Sequence, residues 1–201
     1  MIEILLFDLG GVVIDIDFER SFRKWSVHSG VPVETIRSGF SHDQVYEQHE
    51  RGEIGSIEFY HYVSEHIEME LTFEQFKEGW NEILVAPFPQ TIRLLHKLAN
   101  RIPLYMLSNS NPMHKEHWEK NFAAELKPFN HIFVSSDLGY RKPEVDAYLH
   151  VVEALNISPE KIVFFDDLAD NVEAARVLGM QAVLVRSPAD ISSYVVSSGL
   201  I

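Results

Sequence analysis

The sequence predicts an α/β fold, with a three-layer core around a parallel sheet and a small helical insertion after the first strand. Short apolar runs recur along the chain, and helical patterns lie between the later runs. Near-continuous apolar runs are typical of strands buried on both faces of a parallel sheet. About a hundred residues separate the first two runs, and this segment is also helical in pattern. Strands that alternate with helices in this way indicate a three-layer architecture.

Five runs are predicted to be strands: EILLF at 3–7, IPLYML at 102–107, HIFVS at 131–135, KIVFF at 161–165 and QAVLV at 181–185. The predicted core helices are QTIRLLHKLAN before the second strand, PEVDAYLHVVEALN between the third and fourth, and NVEAARVLG between the fourth and fifth. Pro143 is expected to open the second of these helices, because proline is favoured at the first helical position.

The long segment after the first strand is predicted to be a helical cap over the edge of the sheet. The cap comprises residues 18–87, and the core comprises residues 1–17 and 88–201. The signals for cap helices are Asp17 as an N-cap, Gly30 as a stop, Ser56 as a start, and a Thr72 and Gln75 capping box before FEQFKEGWNEIL. Pro87 and Pro89 are expected to end the cap.

Composition excludes several classes of function. With 201 residues the chain is long enough for one well-cored domain with an insertion. A formal charge of -13 argues against a nucleic-acid backbone or an anionic membrane as a partner. The absence of cysteine excludes disulfides, thiolate nucleophiles and sulfur-ligated zinc. We therefore expect a cytoplasmic protein, and no sequence pattern indicates an obligate protein partner.

Polar residues follow the predicted strands, where parallel sheets bind their ligands. The residues at these strand ends are Asp8, Ser108, Asn109, Arg141, Lys142, Asp166 and Asp167. Adjacent Asp166 and Asp167 would repel each other unless a cation lay between them. Carboxylate oxygens with few neutral donors suit magnesium. The sequence therefore predicts one magnesium site with a neighbouring lysine at this edge.

The segments FDLGGV, LSNS, RKP and FFDDLADN, in this order, resemble the four motifs of the haloacid dehalogenase (HAD) superfamily of phosphohydrolases. Within the superfamily the sequence most resembles bacterial α-D-glucose-1-phosphate phosphatases and, more distantly, the phosphatase domain of soluble epoxide hydrolases. The resemblance implies a HAD-like Rossmannoid core with a cap after the first motif. It also implies a Mg²⁺-dependent phosphomonoesterase that forms an aspartyl phosphate and acts on a small phosphorylated metabolite. The best guess for that metabolite is a hexose 1-phosphate such as glucose 1-phosphate.

The resemblance assigns roles to individual residues. Asp8 is implied as the nucleophile, and Lys142 as the cation that neutralises phosphate and nucleophile. The implied phosphate-binding groups are the amides of Leu9 and Gly10, together with Ser108, Asn109 and Lys142. The implied metal ligands are Asp8, the carbonyl of Gly10, and Asp167, with Asp166 and Asn171 in support. Three carboxylates against one lysine and one Mg²⁺ sum to zero charge, so we expect absolute dependence on a divalent metal.

Gly10 departs from the family pattern, which usually has an aspartate there as general acid. General acid catalysis contributes about 10² to 10⁴ in rate, so we expect a preference for acidic leaving hydroxyls such as an anomeric oxygen or a phenol. Asp15, Asp17 or a cap histidine are alternative acids, although Asp15 is better interpreted as a turn residue and Asp17 as a helix cap. A second hypothesis is a non-catalytic phosphate- or phosphosugar-binding protein that lost turnover with the acid.

Three other functions fit the sequence less well. A phosphomutase would need the acid that Gly10 replaces, a haloacid dehalogenase would not need paired aspartates, and a receiver domain would lack the cap.

Several other polar and aromatic residues were considered for the site. His114 and His117 are interpreted as a solvated helix face. His49 and Arg51 could lie in a substrate-facing cap loop, with Arg51 the better candidate for specificity. Trp25, Trp80 and Trp118 are expected to pack in the core or cap.

Overall fold

A five-stranded parallel sheet forms the centre of this computed structural model, which describes all residues 1–201. The seven strands are β1 Ile4–Phe7, β2 Ile14–Ile16, β3 Leu84–Pro87, β4 Leu104–Ser108, β5 His131–Val134, β6 Ile162–Asp166 and β7 Gln181–Leu184. The central sheet has the order β5-β4-β1-β6-β7, and β2 pairs with β3 in a separate antiparallel ribbon. All five predicted strands are confirmed, whereas β2 and β3 were not predicted.

Twelve α-helices surround the two sheets. They are α1 Phe18–Ser29, α2 Val33–Gly39, α3 Gln44–Glu50, α4 Ser56–His66, α5 Phe73–Asn81, α6 Pro89–Leu98, α7 Pro112–Asn121, α8 Ala123–Leu126, α9 Ser135–Leu138, α10 Val145–Leu155, α11 Ala169–Val177 and α12 Pro188–Ser197. A 3-10 turn, Pro159–Lys161, precedes β6. None of these helices has the length and apolar character that crossing a membrane requires.

The apolar run of β1 is continuous because both of its faces are covered. Leu5 and Phe7 belong to the cluster that includes side chains of α6 and α12, whereas Ile4 and Leu6 belong to the cluster that includes side chains of α10 and α11. Successive residues of a strand point to opposite faces, so the sheet lies between two helical layers. The predicted three-layer α/β fold is confirmed.

Two predicted helix boundaries were wrong. The helix expected from Pro143 begins at Val145, after a turn that contains a cis peptide bond between Lys142 and Pro143. The helix predicted for FEQFKEGWNEIL ends at Asn81, because Leu84 instead begins β3 and pairs with β2. The remaining cap signals are confirmed: Asp17 caps α1, Gly30 ends it, Ser56 begins α4, and Thr72 and Gln75 form a capping box on α5.

The cap helices α1 to α5 pack around their own aromatic cluster. Trp25 stacks on Phe76 at 4.8 Å and on Trp80 at 5.9 Å between ring centroids. Trp25 and Trp80 are buried in this cluster, and Trp118 is buried in the core, so the prediction that the tryptophans pack internally is confirmed. The division between a cap of residues 18–87 and a core of residues 1–17 and 88–201 stays a prediction.

The β2–β3 ribbon forms the neck between cap and core. Ile14 pairs with Pro87, and Ile16 pairs with Leu84, with a bulge between Asp15 and Ile16. The chain therefore enters and leaves the cap on two hydrogen-bonded strands. Asp15 lies in β2 and is exposed, so its interpretation as a turn residue was wrong.

His49 is buried in the cap and stacks on Phe59, with 4.2 Å between the ring centroids. Its Nε2 has no hydrogen-bond partner. Burial, with a smaller contribution from His114, lowers the pKa of His49 to about 3. A neutral buried imidazole adds stability above its unfolded pKa, and that stability decreases as the pH falls below this value.

We expect His49→Phe to make the protein less sensitive to acid. Because the unfolded histidine titrates near 6.5 and the folded one near 3, going from pH 8 to pH 5 should cost the wild type about 2 kcal/mol at this residue. The phenyl ring retains the stack and does not titrate. Urea unfolding at both pH values measures the difference, and His96→Phe, at an exposed residue of α6, controls for loss of a histidine. Equal acid sensitivity in wild type and His49→Phe would contradict the expectation.

Candidate active site

Polar side chains converge at the carboxyl edge of the central sheet. Asp8 directly follows β1, Ser108 ends β4, and Asp166 ends β6. Because β1 lies between β4 and β6, these strand ends are neighbours. The carboxylates of Asp8, Asp166 and Asp167 each offer an oxygen within 4.8 Å of the others. The convergence of residues expected from the strand ends is therefore present.

Lys142 lies between two of these carboxylates. Its Nζ is 2.7 Å from Asp8 Oδ1 and 2.7 Å from Asp166 Oδ2, and the residue is 1% exposed. Burial alone would lower the pKa of Lys142, but the adjacent Asp166 and Asp8 outweigh burial and raise it. The ammonium is thus a permanently charged group that bridges the end of β1 to the end of β6.

Asn109 positions the backbone of Lys142. Its Nδ2 donates to the Lys142 carbonyl at 2.8 Å, and the Lys142 amide donates to Asn109 Oδ1 at 2.8 Å. The Asn109 side-chain amide therefore clamps the lysine, and the predicted phosphate-binding role of Asn109 stays a prediction. Ser108 lines the cavity with its hydroxyl in only a long contact, 3.5 Å, to the Asn109 carbonyl. Its predicted phosphate-binding role stays a prediction.

Asp166 is the most highly bonded of the three carboxylates. Besides Lys142, it accepts from the Leu168 amide at 2.8 Å and from Asn171 Nδ2 at 3.0 Å. Its bonds orient the lysine and Asn171, so Asp166 is better suited to positioning than to direct metal ligation. Asp167 is half-buried beside them and lines the cavity, and its pKa is raised by burial and by Asp166.

The two glycines after Asp8 have different structural requirements. Gly11 has a φ of +69°, and a Cβ there would lie 2.6 Å from Cγ of Asp167, so residue 11 must be glycine for Asp167 to lie where it does. A Cβ at Gly10 would meet nothing nearer than the Ile16 side chain at 3.4 Å. Steric fit at the Cβ therefore does not explain the glycine at position 10.

The charges at this edge are unbalanced. Burial raises the pKa of Asp8 to about 7, Lys142 opposes the shift, and Asp166 adds to it. One ammonium therefore does not offset three neighbouring carboxylates in a buried setting. An all-oxygen donor set of this kind fits a divalent hard cation such as Mg²⁺.

The carboxylates open into a cavity of ≈ 340 Å³ between core and cap. From the core it is lined by the predicted Asp8, Leu9, Gly10, Ser108, Asn109, Lys142, Asp167 and Asn171, together with Arg141, His114 and Trp118. From the cap it is lined by Phe18, His42, Tyr46 and Glu50. The cap residues were missed because they belong to no motif, although Asp43, which caps α3, was a readable signal for the helix that presents Tyr46 and Glu50.

Several residues considered from the sequence lie outside this cavity. Asp15 and Asp17 do not line it, and Asp17 instead accepts from the Glu19 amide as the predicted helix cap. Arg51 pairs with Glu53 at 2.6 Å and with Glu144 at 2.9 Å, and neither it nor His49 faces the cavity. Arg51 therefore joins cap to core and is poorly placed to contact a substrate.

The interpretation of His114 as part of a solvated face was wrong. The ring is buried, stacks on Trp80 at 4.9 Å between centroids, and its Nε2 lies 3.1 Å from the Trp80 carbonyl. Burial lowers the pKa of His114 to about 4. The cap covers this side of α7, a contact that helical spacing alone does not reveal. Neither His114 nor His117 belongs to a metal-binding cluster.

We expect Lys142→Met to destabilise the fold by about 3–5 kcal/mol, because it leaves two buried carboxylates without their cation. Lys115→Met is the matched control. Lys115 is 2.7 Å from Asp137 in a solvent-exposed pair, and such pairs contribute about 0–1 kcal/mol. Urea unfolding at pH 7 measures both variants. Equal losses of unfolding free energy in the two variants would contradict a larger contribution from the buried ion pairs than from the exposed one.

The sequence and the structure were compared with those of known proteins, and both comparisons found similar hydrolases. The model of the haloacid dehalogenase-like hydrolases matches residues 2–179. The D-ribitol-5-phosphate phosphatase of Bacteroides thetaiotaomicron is 24% identical over 196 residues, covering 94% of this chain and 95% of that protein. The phosphorylated carbohydrates phosphatase of Thermotoga maritima is 27% identical over 193 residues, covering 90% and 83%. A HAD family enzyme from B. thetaiotaomicron, solved with magnesium and inorganic phosphate, superposes with a TM-score of 0.81 at 28% identity, covering 92% and 95%.

Proposed function

Since the chain belongs to the haloacid dehalogenase-like hydrolases, we propose that it is a magnesium-dependent phosphomonoesterase acting on a small phosphorylated carbohydrate through an aspartyl phosphate. The observation that carries the proposal is the position of Lys142, 2.7 Å from both Asp8 and Asp166 in a cavity lined by core and cap residues. The relatives that cover most of the chain and are named as phosphatases support the same reaction class.

The residues that would hold Mg²⁺ are Asp8, Asp167 and the carbonyl of Gly10, with Asp166 and Asn171 in support. The arrangement of carboxylate oxygens fits this group. When bound, the ion supplies positive charge that stabilises the phosphoryl oxygens. A relative solved with magnesium and inorganic phosphate supports this assignment.

The chain's own residues account for the remaining chemistry. An oxygen of Asp8 attacks phosphorus, the bond to the leaving oxygen breaks, and an aspartyl phosphate forms. Water then attacks that phosphorus and releases inorganic phosphate, which restores the Asp8 carboxylate. Lys142 favours the ionised form of Asp8 and balances charge on the phosphoryl oxygens, while Asn109 holds the backbone of the lysine in place. Electrostatic positioning of this kind is the main contribution to phosphoryl transfer.

The relatives support a broader substrate class than the glucose 1-phosphate that the sequence analysis predicted. The named relatives act on ribitol 5-phosphate and on phosphorylated carbohydrates, so a phosphorylated carbohydrate is the class that they support. Within it, glucose 1-phosphate remains our candidate because of the acidity of its leaving group. The proposal also includes a cytoplasmic location, which the lack of cysteine supports, and no nucleic-acid or membrane partner, which the charge of -13 supports.

The test is phosphate release from glucose 1-phosphate, glucose 6-phosphate, ribitol 5-phosphate, glycerol phosphate, a nucleotide and p-nitrophenyl phosphate in the presence of Mg²⁺. We expect turnover of the carbohydrate phosphates above that of the nucleotide. Binding of phosphate or a phosphosugar with no release from any compound would instead support the non-catalytic alternative. That alternative is not favoured, because the nucleophile, lysine and carboxylates are all assembled and the relatives are named as phosphatases.

Gly10→Asp is expected to raise turnover of simple alkyl phosphates by about 10² or more, because it adds a carboxyl group where the family places its general acid. The Cβ is accommodated, since its nearest neighbour would be the Ile16 side chain at 3.4 Å. Turnover of p-nitrophenyl phosphate should change little, because its leaving group needs no proton. Gly10→Ala controls for the added Cβ. Equal gains for glycerol phosphate and p-nitrophenyl phosphate would contradict the leaving-group argument.

A further inference from the structure

Glu50 is a buried carboxylate on the cap side of the active-site cavity. It ends α3, is 6% exposed and lines the cavity together with Arg141 of the core. Arg141 Nε donates to Glu50 Oε2 at 2.7 Å, and its Nη1 donates to Glu47 Oε1 at 3.1 Å. The mechanism proposed above uses neither Glu50 nor Arg141.

The cations around the cavity are already paired with carboxylates. Arg141 is paired with Glu50 and Glu47, and Lys142 is paired with Asp8 and Asp166. No other arginine or lysine lines the cavity. A second anionic group on a substrate would therefore meet the Glu50 carboxylate without an unpaired cation to receive it, which is unfavourable in a partly buried site.

The rest of the cap wall suits a neutral, hydroxyl-bearing group. Phe18 and Tyr46 present aromatic surface, and His42 adds a polar ring. Arg141 donates to Glu50 Oε2, and the Tyr46 hydroxyl is a second partner of this carboxylate. A carboxylate has about four lone-pair sites, so sites remain to accept hydrogen bonds from substrate hydroxyls. The ion pair with Arg141 also fixes its direction, so little side-chain freedom is lost on binding.

We propose that Glu50, oriented by Arg141, accepts hydrogen bonds from hydroxyls of the leaving group and so selects neutral polyhydroxy leaving groups over those that carry a second anion. This inference rests on the proposed function and specifies the substrate class for the same site. Glu50 is a specificity residue that contacts the leaving group, and Arg141 is a positioning residue that acts through it.

The experiment compares glucose 1-phosphate with glucuronic acid 1-phosphate. The first compound carries a hydroxymethyl group where the second carries a carboxylate. The wild type should prefer glucose 1-phosphate in kcat/KM by at least about 10-fold. Glu50→Gln should lower kcat/KM for glucose 1-phosphate by about 10-fold or more, the size of a hydrogen bond to a charged group, and should weaken the discrimination. Its kcat/KM for p-nitrophenyl phosphate, which has no sugar hydroxyl, should change by less than about 3-fold.

Glu47→Gln is the matched control, because Glu47 contacts the same guanidinium at 3.1 Å without lining the cavity. It should leave all three substrates within about 3-fold of the wild type. An equal loss for all substrates in Glu50→Gln, or no loss for glucose 1-phosphate, would overturn the inference. Calorimetric binding of glucose 1-phosphate to Asp8→Asn, with and without Glu50→Gln, needs no turnover and should show about 10-fold weaker binding. An unchanged Kd there would also overturn it, whereas failure of the wild type to release phosphate would count against the proposed function alone.

Discussion

Asparagine in place of Asp8 is expected to reduce phosphate release by on the order of 10⁴-fold or more, the scale seen when a covalent nucleophile is removed. The carboxamide retains the shape of the side chain but lacks the carboxylate nucleophile, so the aspartyl phosphate cannot form. It also removes one negative charge beside Lys142, which lies 2.7 Å from Asp8 Oδ1. Inorganic phosphate release in the presence of Mg²⁺ is the measurement.

The stability of the variant separates chemistry from folding. Asp8 is buried and its pKa is raised to about 7, with burial as the main cause, so a neutral residue at this position should not destabilise the protein at pH 7. Asp15→Asn, at an exposed residue of the neck, is the control and should retain activity. A fully folded Asp8→Asn protein with wild-type turnover would refute the aspartyl phosphate.

Removal of divalent metal is expected to abolish activity, with a loss of at least about 10³-fold, because one donor removed from an electrostatic site already costs about 10²–10³. The carboxyl groups of Asp8, Asp166 and Asp167 outnumber the single ammonium group of Lys142. Without the metal, the phosphate dianion of a substrate would therefore meet a net negative charge at the bottom of the cavity. Activity after EDTA treatment, and its return on addition of Mg²⁺, is the measurement.

Two controls are needed to interpret a loss of activity in EDTA. Excess Ca²⁺ in place of Mg²⁺ tests whether any divalent charge suffices, since Ca²⁺ takes more ligands at longer distances. Unfolding curves with and without EDTA test whether the fold itself depends on the metal. Full activity in EDTA, with the fold intact, would contradict metal dependence.

The half of the site that belongs to the core was predictable, because strand ends of a parallel sheet converge and these strand ends carry polar residues. Asp8, Lys142 and Asp166 therefore lie together as the sequence suggested. The role of Asn109 was not predictable, since its amide is used by the backbone of Lys142, thirty-three residues away in sequence. Such a contact depends on the loop after α9 folding back across the end of β4.

The cap half of the site was less predictable for a physical reason. Its helices could be read from capping residues such as Asp17 and Thr72, but their direction relative to the sheet depends on tertiary packing. Glu50 lines the cavity and Arg51, the next residue, does not. His114 of the core stacks on Trp80 of the cap, so its burial depends on tertiary packing. Which cap residues face a substrate thus follows from how the cap docks.

The neck has a consequence for how enzymes of this kind can diversify. Ile16 and Leu84 are partners on adjacent antiparallel strands, so the two ends of the insertion lie about 5 Å apart. A link of a few residues would span that gap, and a different insert of any length could begin and end there without disturbing the sheet. We therefore expect the segment between these two strands to be exchangeable, so that substrate preference could change by replacement of one contiguous segment while the strand ends of the central sheet stay the same.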